Sequence, residues 1–436
     1  MLKVTKFGGS SLADANQFRK VKNIILSDKN RKYLVPSAMG KRSYTDEKIT
    51  DMLYACHAHA AEGKPFNDIF DRIIERHMDA AFELELKIDM LSFLNKIRAD
   101  IAGGETADYA ASRGEYLTGL MMADYLGWRF LDPKEVIFFT EAGMLDERRT
   151  NNALSKRLSD GIPTVVPGFY GSAPDGKIKT FSRGGSDITG AIVARGVNAD
   201  LYENWTDVPG FLMADPRIVN NPKVICELTY RELRELAYMG ATVLHEDSIF
   251  PVRQASIPIN VRNTNEPEAP GTMIVSENTC SNSPGSITGI AGKTGFTVIA
   301  IEKDNMNSEI GFGRKVLETL DKLKISFEHM PSGIDTLSLV IADSQIKDKR
   351  KQLIDEIINA CNPDSVEIHD NMAIIATVGS GMINSIGTAA KLFNALSEAK
   401  VNIRMIDQGS SEINIIVGVE SDDFNDAVRA IYKAFA

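Results

Sequence analysis

Lys6-Phe7-Gly8-Gly9-Ser10-Ser11 closes a short apolar strand predicted over residues 2–5 and precedes an amphipathic helix predicted over 15–26. A strand, a glycine turn and a helix start form a cradle for phosphate. Two adjacent glycines let the backbone approach a bulky anion with its N–H groups turned inward, and the helix N-terminus favours negative charge. Lys6 stands beside that cradle as a point charge. Taken alone, the stretch fits a tight connection with a solvated lysine equally well, so other segments must decide.

At 436 residues the chain exceeds one ordinary domain and suggests two or three. No run approaches the roughly 18 apolar residues of a membrane span, and the start lacks the apolar core of a signal peptide, so a soluble cytoplasmic chain is expected. Cys56, Cys226, Cys280 and Cys361 lie far apart without a CxxC, which points away from disulfides and structural zinc. The formal charge of −10 argues against nucleic-acid binding and requires a local cluster of cations, or a metal, for any anionic substrate.

Outward from Lys6, strands predicted at 33–35, 136–140, 164–167, 200–204 and 257–261 alternate with helices, one starting near Glu47. This is the pattern of an α/β domain with a mostly parallel sheet sandwiched by helices. Residues 65–102 read as a helical insertion that serves packing, with Ile69, Ile73, Leu84, Ile88 and Leu91 at helical spacing. In such sheets ligands bind where strand C-terminal ends meet loops. The catalytic domain is expected over 1–262 and a linker, rich in Asn, Pro, Glu, Ser and Gly, over 263–285.

Beyond the linker a βαββαβ order runs through strand 297–301, helix 312–323, strands 325–329 and 336–341, helix 347–360 and strand 366–369. A second pass has strand 372–378, helix 387–399, strands 401–406 and 413–419, and helix 422–435. It lacks one strand, which the apolar run 287–290 could supply. The first ferredoxin-like repeat (297–370) is therefore expected to be inserted within the second (286–296 and 371–436). Small sheets leave edges that a second copy could extend, hence an expected homo-oligomer.

Ser182-Arg183-Gly184-Gly185-Ser186-Asp187 is a second glycine loop opening a helix, seen at 191–195, and Thr206-Asp207-Val208-Pro209-Gly210 with Ala214-Asp215-Pro216-Arg217 follows a strand. Two such loops can hold a polyphosphate while a fork of donors grips a carboxylate. Gly292-Lys293-Thr294 looks like the end of a Walker A motif, but Ile287 stands where its glycine belongs, and Lys293 reads as a solvated turn residue. Cys56-His57-Ala58-His59 has the wrong spacing for a helical metal site, and His245 reads as structural.

The order Lys-Phe-Gly-Gly-Ser-Ser, Ser-Ala-Met-Gly (37–40), Arg-Gly-Glu (113–115), Arg-Gly-Gly-Ser-Asp and Thr-Asp-Val-Pro-Gly…Ala-Asp-Pro-Arg resembles the aspartate kinases over the whole chain. That family joins an amino-acid-kinase domain to two interleaved ACT domains. The resemblance implies transfer of phosphate from ATP, with Mg2+, to the β-carboxylate of L-aspartate. It implies that Lys6 and Asp187 are catalytic, Lys6 meeting phosphoryl charge while Asp187 holds it. Gly8, Gly9, Ser10, Thr206, Asp207 and Arg217 would serve the nucleotide. Ser37, Thr50, Glu115, Phe169, Arg183 and Ser186 would line the aspartate pocket, with Arg183 on the α-carboxylate and Glu115 on the ammonium.

The same resemblance implies feedback by an amino-acid effector, lysine first among the choices, at Met306, Ser308, Gly311, Phe312, Glu328 and Ser332, and a dimer or dimer of dimers through the ACT domains. Leu212 replaces a tyrosine and Thr242 a lysine of many relatives, and Ser182 a frequent glycine. Two alternatives stay open: a kinase for another small amino acid such as glutamate, and a non-catalytic amino-acid sensor.

Overall fold

The computed structural model describes residues 1–182, 184–241, 244, 246–276 and 286–436. The chain divides into two compact units, one of Met1–Phe211, Val224–Leu233 and Thr242–Ser281, the other of Leu212–Lys223, Arg234–Ala241 and Asn282–Ala436.

In the first unit, strands β1 (Lys3–Phe7), β2 (Arg31–Pro36), β3 (Arg129–Phe130), β4 (Thr164–Val165), a separate hairpin β5 (Tyr170–Ser172) and β6 (Ile178–Thr180), β7 (Leu201–Thr206), β8 (Glu227–Thr229), β9 (Ile259–Asn263) and β10 (Thr272–Val275) follow in chain order. All but the hairpin form one eight-stranded sheet ordered β3-β4-β2-β1-β7-β9-β10-β8. Only the β9–β10 pairing in it is antiparallel. β1 lies in the interior with β2 and β7 parallel on either side, so Lys6 stands level with Val35 and Asn204, and Phe7 with Pro36 and Trp205.

The helices of this unit are α1 (Ala15–Leu26), α2 (Ile49–Ala61), α3 (Asn67–Glu83), α4 (Met90–Ala102), α5 (Ala107–Leu126), α6 (Glu147–Arg157) and α7 (Gly185–Gly196). α1 starts where the Asp14 carboxylate accepts from the Gln17 amide at 3.0 Å, and it buries the stripe Ala15, Phe18, Val21, Ile24 and Ile25. α5 is capped by Thr106 and ended by Gly127 in the left-handed region. Its middle is buried on every side, Arg113-Gly114-Glu115 included, because Phe7, Met39, Leu53 and Leu94 share one core with Leu117 and Met121.

After α8 (Tyr230–Tyr238) and the short α9 (Phe250–Gln254), the second unit carries β11 (Gly289–Glu302), α10 (Phe312–Leu323), β12 (Thr336–Ala342), α11 (Asp343–Ile346), α12 (Arg350–Cys361), β13 (Ser365–Val378), α13 (Thr388–Glu398), β14 (Met405–Asp407), β15 (Asn414–Glu420) and α14 (Phe424–Phe435). Its sheet is antiparallel, ordered β12-β11-β13-β15-β14. β11 is shared by both repeats: residues 289–294 pair with 373–378, and 296–302 pair with β12 and with 365–372, across an irregularity near Phe296. Val316 and Leu320 of α10 pack with Leu353 and Ile357 of α12 against Ile299 and Leu339.

Five sequence expectations change. Residues 272–275, read as linker, form β10 inside the eight-stranded sheet, because the apolar run Met273-Ile274-Val275 finds ladder partners in β8 and β9. Residues 136–140 make only isolated bridges, at Phe138 and Phe139, and 325–329 only the one between His329 and Val340. In 401–406 pairing begins at Met405. Lys293 is no turn residue but lies in β11 and donates to the Tyr238 carbonyl. His245 lies outside the described residues.

Candidate active site

The C-terminal ends of β1, β2 and β7 bring the glycine turn, the 37–40 loop and Thr206 to one edge of the sheet. The two loops meet backbone to backbone: the Gly40 amide donates to the Gly9 carbonyl at 2.9 Å, and the Ser37 amide to the Phe7 carbonyl at 3.0 Å. A Cβ on Gly40 would sit 2.4 Å from the Gly9 carbonyl carbon, and one on Gly9 would sit 3.0 Å from the Ala38 carbonyl oxygen. At Gly40 only glycine permits this approach, and at Gly9 a side chain would force the facing backbone to give way.

Lys6, buried at 7 % exposure, places Nζ 2.6 Å from Asp187 Oδ1. Asp187 lies in the first turn of α7, whose cap Gly184 adopts the left-handed conformation. Asn204 Nδ2 donates to the same Oδ1 at 2.7 Å, and the Tyr202 hydroxyl donates to the Asp187 carbonyl at 3.1 Å. Both partners rise from β7, so strand and helix together fix the acid that fixes the lysine. Sequence reading missed Asn204 and Tyr202; the one available signal was an asparagine set between Glu203 and Trp205 in a predicted strand.

Opposite them, Gly168 and Phe169 press onto the start of α7. A Cβ on Gly168 would lie 2.6 Å from the Ser186 side chain, and one on Gly185 would lie 2.2 Å from Phe169 Cδ2. Phe169 itself takes φ 81°, a strained value for an aromatic residue. The surroundings hold it there through its amide, which donates to Thr189 Oγ1 at 3.0 Å.

Glu115 is buried at 6 % exposure and accepts from the Ala38 amide and the Ser186 hydroxyl, yet its Oε2 has no partner. Burial pushes its carboxyl up to about 8, against which those hydrogen bonds and the Arg113 charge act weakly. An acid in this state invites a cation. Thr50 is the second residue of α2, Ser10 sits half-buried in the turn, and Thr206 donates to the exposed Asp207 at 3.1 Å.

Arg183 and Thr242 lie outside the described residues. Arg217 belongs to the second unit, where its exposed guanidinium pairs with Asp215 at 2.6 Å. In that unit Met306 and Phe312 are buried, Gly311 caps α10 at φ 85°, Ser308 and Ser332 are exposed, and Glu328 accepts a hydrogen bond from the Tyr238 hydroxyl.

Among the described residues no three His, Cys, Asp or Glu side chains gather as a metal cage. Beside the cradle, Oδ1 of Asp187 is taken by Lys6 and Asn204.

A glycine-built anion cradle with a lysine held beside it, on a mostly parallel sheet, defines a phosphotransferase of small molecules. Residues 1–263 match the amino acid kinase family and residues 375–435 the ACT domain. The chain is 40 % identical to aspartokinase 3 of Bacillus subtilis over 100 % of its own length and 98 % of that protein's. It is similar in structure to the aspartate kinase of Clostridium acetobutylicum, with TM-score 0.94 and 58 % identity over 100 % of both chains. E. coli aspartokinase III, solved in complex with aspartate and ADP, matches at TM-score 0.74 and 26 % identity, covering 100 % of this chain and 99 % of that one. The chain belongs to the aspartokinases, phosphotransferases of the amino acid kinase family.

Proposed function

We propose that the chain transfers the γ-phosphoryl group of magnesium-bound ATP to the β-carboxylate of L-aspartate, giving 4-phospho-L-aspartate and ADP. The observation that carries this is Lys6, buried and held 2.6 Å from Asp187 beside a turn built of two glycines. A carboxylate acceptor is already ionised near neutrality, so the reaction needs no general base. It needs two anions brought together and the charge of the transferred group neutralised, which is the work of a fixed cation and backbone N–H donors. Glu115, lacking a partner for Oε2, suits the substrate ammonium, and Ser37, Thr50, Phe169 and Ser186 complete the pocket, with Arg183 on the α-carboxylate. The metal enters with the nucleotide as part of the substrate.

We infer further that residues 1–262 with β10 form the catalytic domain, and that residues 297–370 form one ACT repeat set within a second. Feedback by lysine and assembly through the ACT sheet edges belong to the same reading. Two of its supports are the pair of edge strands β12 and β14 and the carboxylate of Glu328. Expression in the cytoplasm is expected, and no described helix is long and apolar enough to cross a membrane.

A hydroxamate assay with magnesium, ATP and either aspartate or glutamate tests the reaction, because hydroxylamine traps the acyl phosphate. Hydroxamate formed with aspartate and not with glutamate is expected. No product above background with either would overturn the reading.

A further inference from the structure

The helices at 67–102 reach farther than packing. Arg76 of α3, 4 % exposed, extends its guanidinium to three backbone carbonyls: Gly40 at 2.5 Å, Glu47 at 2.9 Å and Ala13 at 3.4 Å. Its Nη1 lies 3.5 Å from Asp46 Oδ2, and its Nε, buried, has no partner. Asp46 is itself held by the amide and Nε of Arg42, each at 3.0 Å. Ala13 follows the Gly9–Leu12 turn of 3-10 helix, while Gly40 and Glu47 bound the loop between β2 and α2. The Gly40 residue that accepts from Arg76 also donates to Gly9.

A guanidinium buried this deeply forfeits hydration, and a half-shielded carboxylate at 3.5 Å restores only part of it. What it gains is geometric: a rigid fork of five donors can fix several carbonyls at once, which an ammonium cannot. We propose that Arg76 is a positioning residue of the phosphotransfer site, clamping the loop of residues 37–48, between β2 and α2, onto the Gly8–Gly9 cradle through Gly40. Its partners among the described residues are backbone carbonyls and Asp46, so it acts through the loops it holds. This rests on reading that turn as the phosphate cradle.

Three variants of the full-length chain, Arg76→Met, Arg76→Lys and Arg76→Ala, test the proposal by steady-state kinetics, thermal melting and hydrogen exchange followed by mass spectrometry. Expected are folded variants whose kcat/KM for ATP falls about 10- to 100-fold, with faster exchange confined to peptides covering residues 8–14 and 38–48. Added guanidinium should recover activity severalfold in Arg76→Ala and not in the wild type. Should Arg76→Met fail to fold, Arg76→Lys carries the same readings.

Folded variants with kcat/KM within twofold of wild type, or exchange changes spread over α3 and α4 while the two loops stay protected, would overturn the proposal. A wild type that forms no hydroxamate refutes the reading of the reaction instead. The exchange pattern still decides whether Arg76 clamps the loops.

Discussion

On the proposed reading, in which Glu115 meets the substrate ammonium, substrate binding is coupled to protons. Its carboxyl is pushed up to about 8 by burial, from 4.5, so the empty pocket holds it largely neutral near pH 7, whereas an ammonium ligand favours the anion. Aspartate binding should therefore release close to one proton at pH 7. Calorimetry in buffers of different ionisation enthalpy checks this, and Glu115→Gln should abolish the release and weaken binding. The sign for stability runs the same way. A folded-state value above the unfolded one contributes stability that is full below about 4.5 and is lost as pH rises through about 8. The melting temperature of the unliganded protein should thus fall over that window, and aspartate should raise it more at pH 8 than at pH 6. At Lys6, replacement by alanine should lower kcat by about 10²- to 10³-fold while the aspartate KM stays within a few-fold, because the ammonium meets charge on the transferred group; a coupled ADP-release assay reports both. Lys6 and the glycines were legible in the sequence because their chemistry lies in residue type and order. Arg76 was not, since a charged residue on a surface-patterned helix says nothing of the carbonyls folded over it.

The α7–β7 pair shows what an element adds. Gly190 faces Tyr202 so closely that a Cβ would lie 2.4 Å from the hydroxyl and 2.7 Å from the ring, and that hydroxyl ties the helix start by donating to the Asp187 carbonyl. Gly190→Ala should therefore lift the start of α7, costing about 1–3 kcal/mol of stability and lowering kcat as Asp187 leaves Lys6. Tyr202→Phe alone should cost about 1 kcal/mol. Together the two should cost somewhat less than their sum, because the second removes the nearest of the atoms that the first strikes while the ring carbons at 2.7 Å remain. Denaturant melts of the four proteins measure the coupling, and strict additivity would show that helix and strand adjust independently. Helices with a clean apolar stripe were legible to the residue, as α1 and α10 show. Strands were less so. The run 136–140 is apolar because it is buried, with the Phe139 ring tilted against Phe181 at 4.9 Å, and burial without ladder partners imitates a strand. β10 suffered the opposite error, its four residues hidden between Pro, Gly and Ser whose composition signals a loop.

For the molecule as a whole the question is how the proposed amino-acid effector, lysine, would be read, and the proposed site at Glu328 makes that testable. Its carboxylate accepts from the Tyr238 hydroxyl, and Tyr238 lies in the segment Arg234–Ala241 that belongs to the same unit. Burial first, and Glu328 second, push the Tyr238 phenol up to about 12, so it keeps its proton and donates throughout the working range. A cationic effector reaching Glu328 must compete with that hydroxyl. Removing the competitor by Tyr238→Phe should tighten lysine binding about 3- to 10-fold, whereas Glu328→Gln should weaken it at least 10-fold. Isothermal titration with and without aspartate gives both affinities and the coupling. Linkage requires that whatever factor lysine imposes on aspartate, aspartate imposes on lysine, typically about 5- to 150-fold. If Tyr238→Phe left the lysine affinity unchanged while Glu328→Gln abolished it, the hydroxyl would be a spectator and the effector would bind Glu328 from its free side. If both variants bound lysine as the wild type does, the cation would be recognised elsewhere in the repeat, where Glu309 is already occupied by Lys303 at 2.8 Å and Lys315 at 2.5 Å.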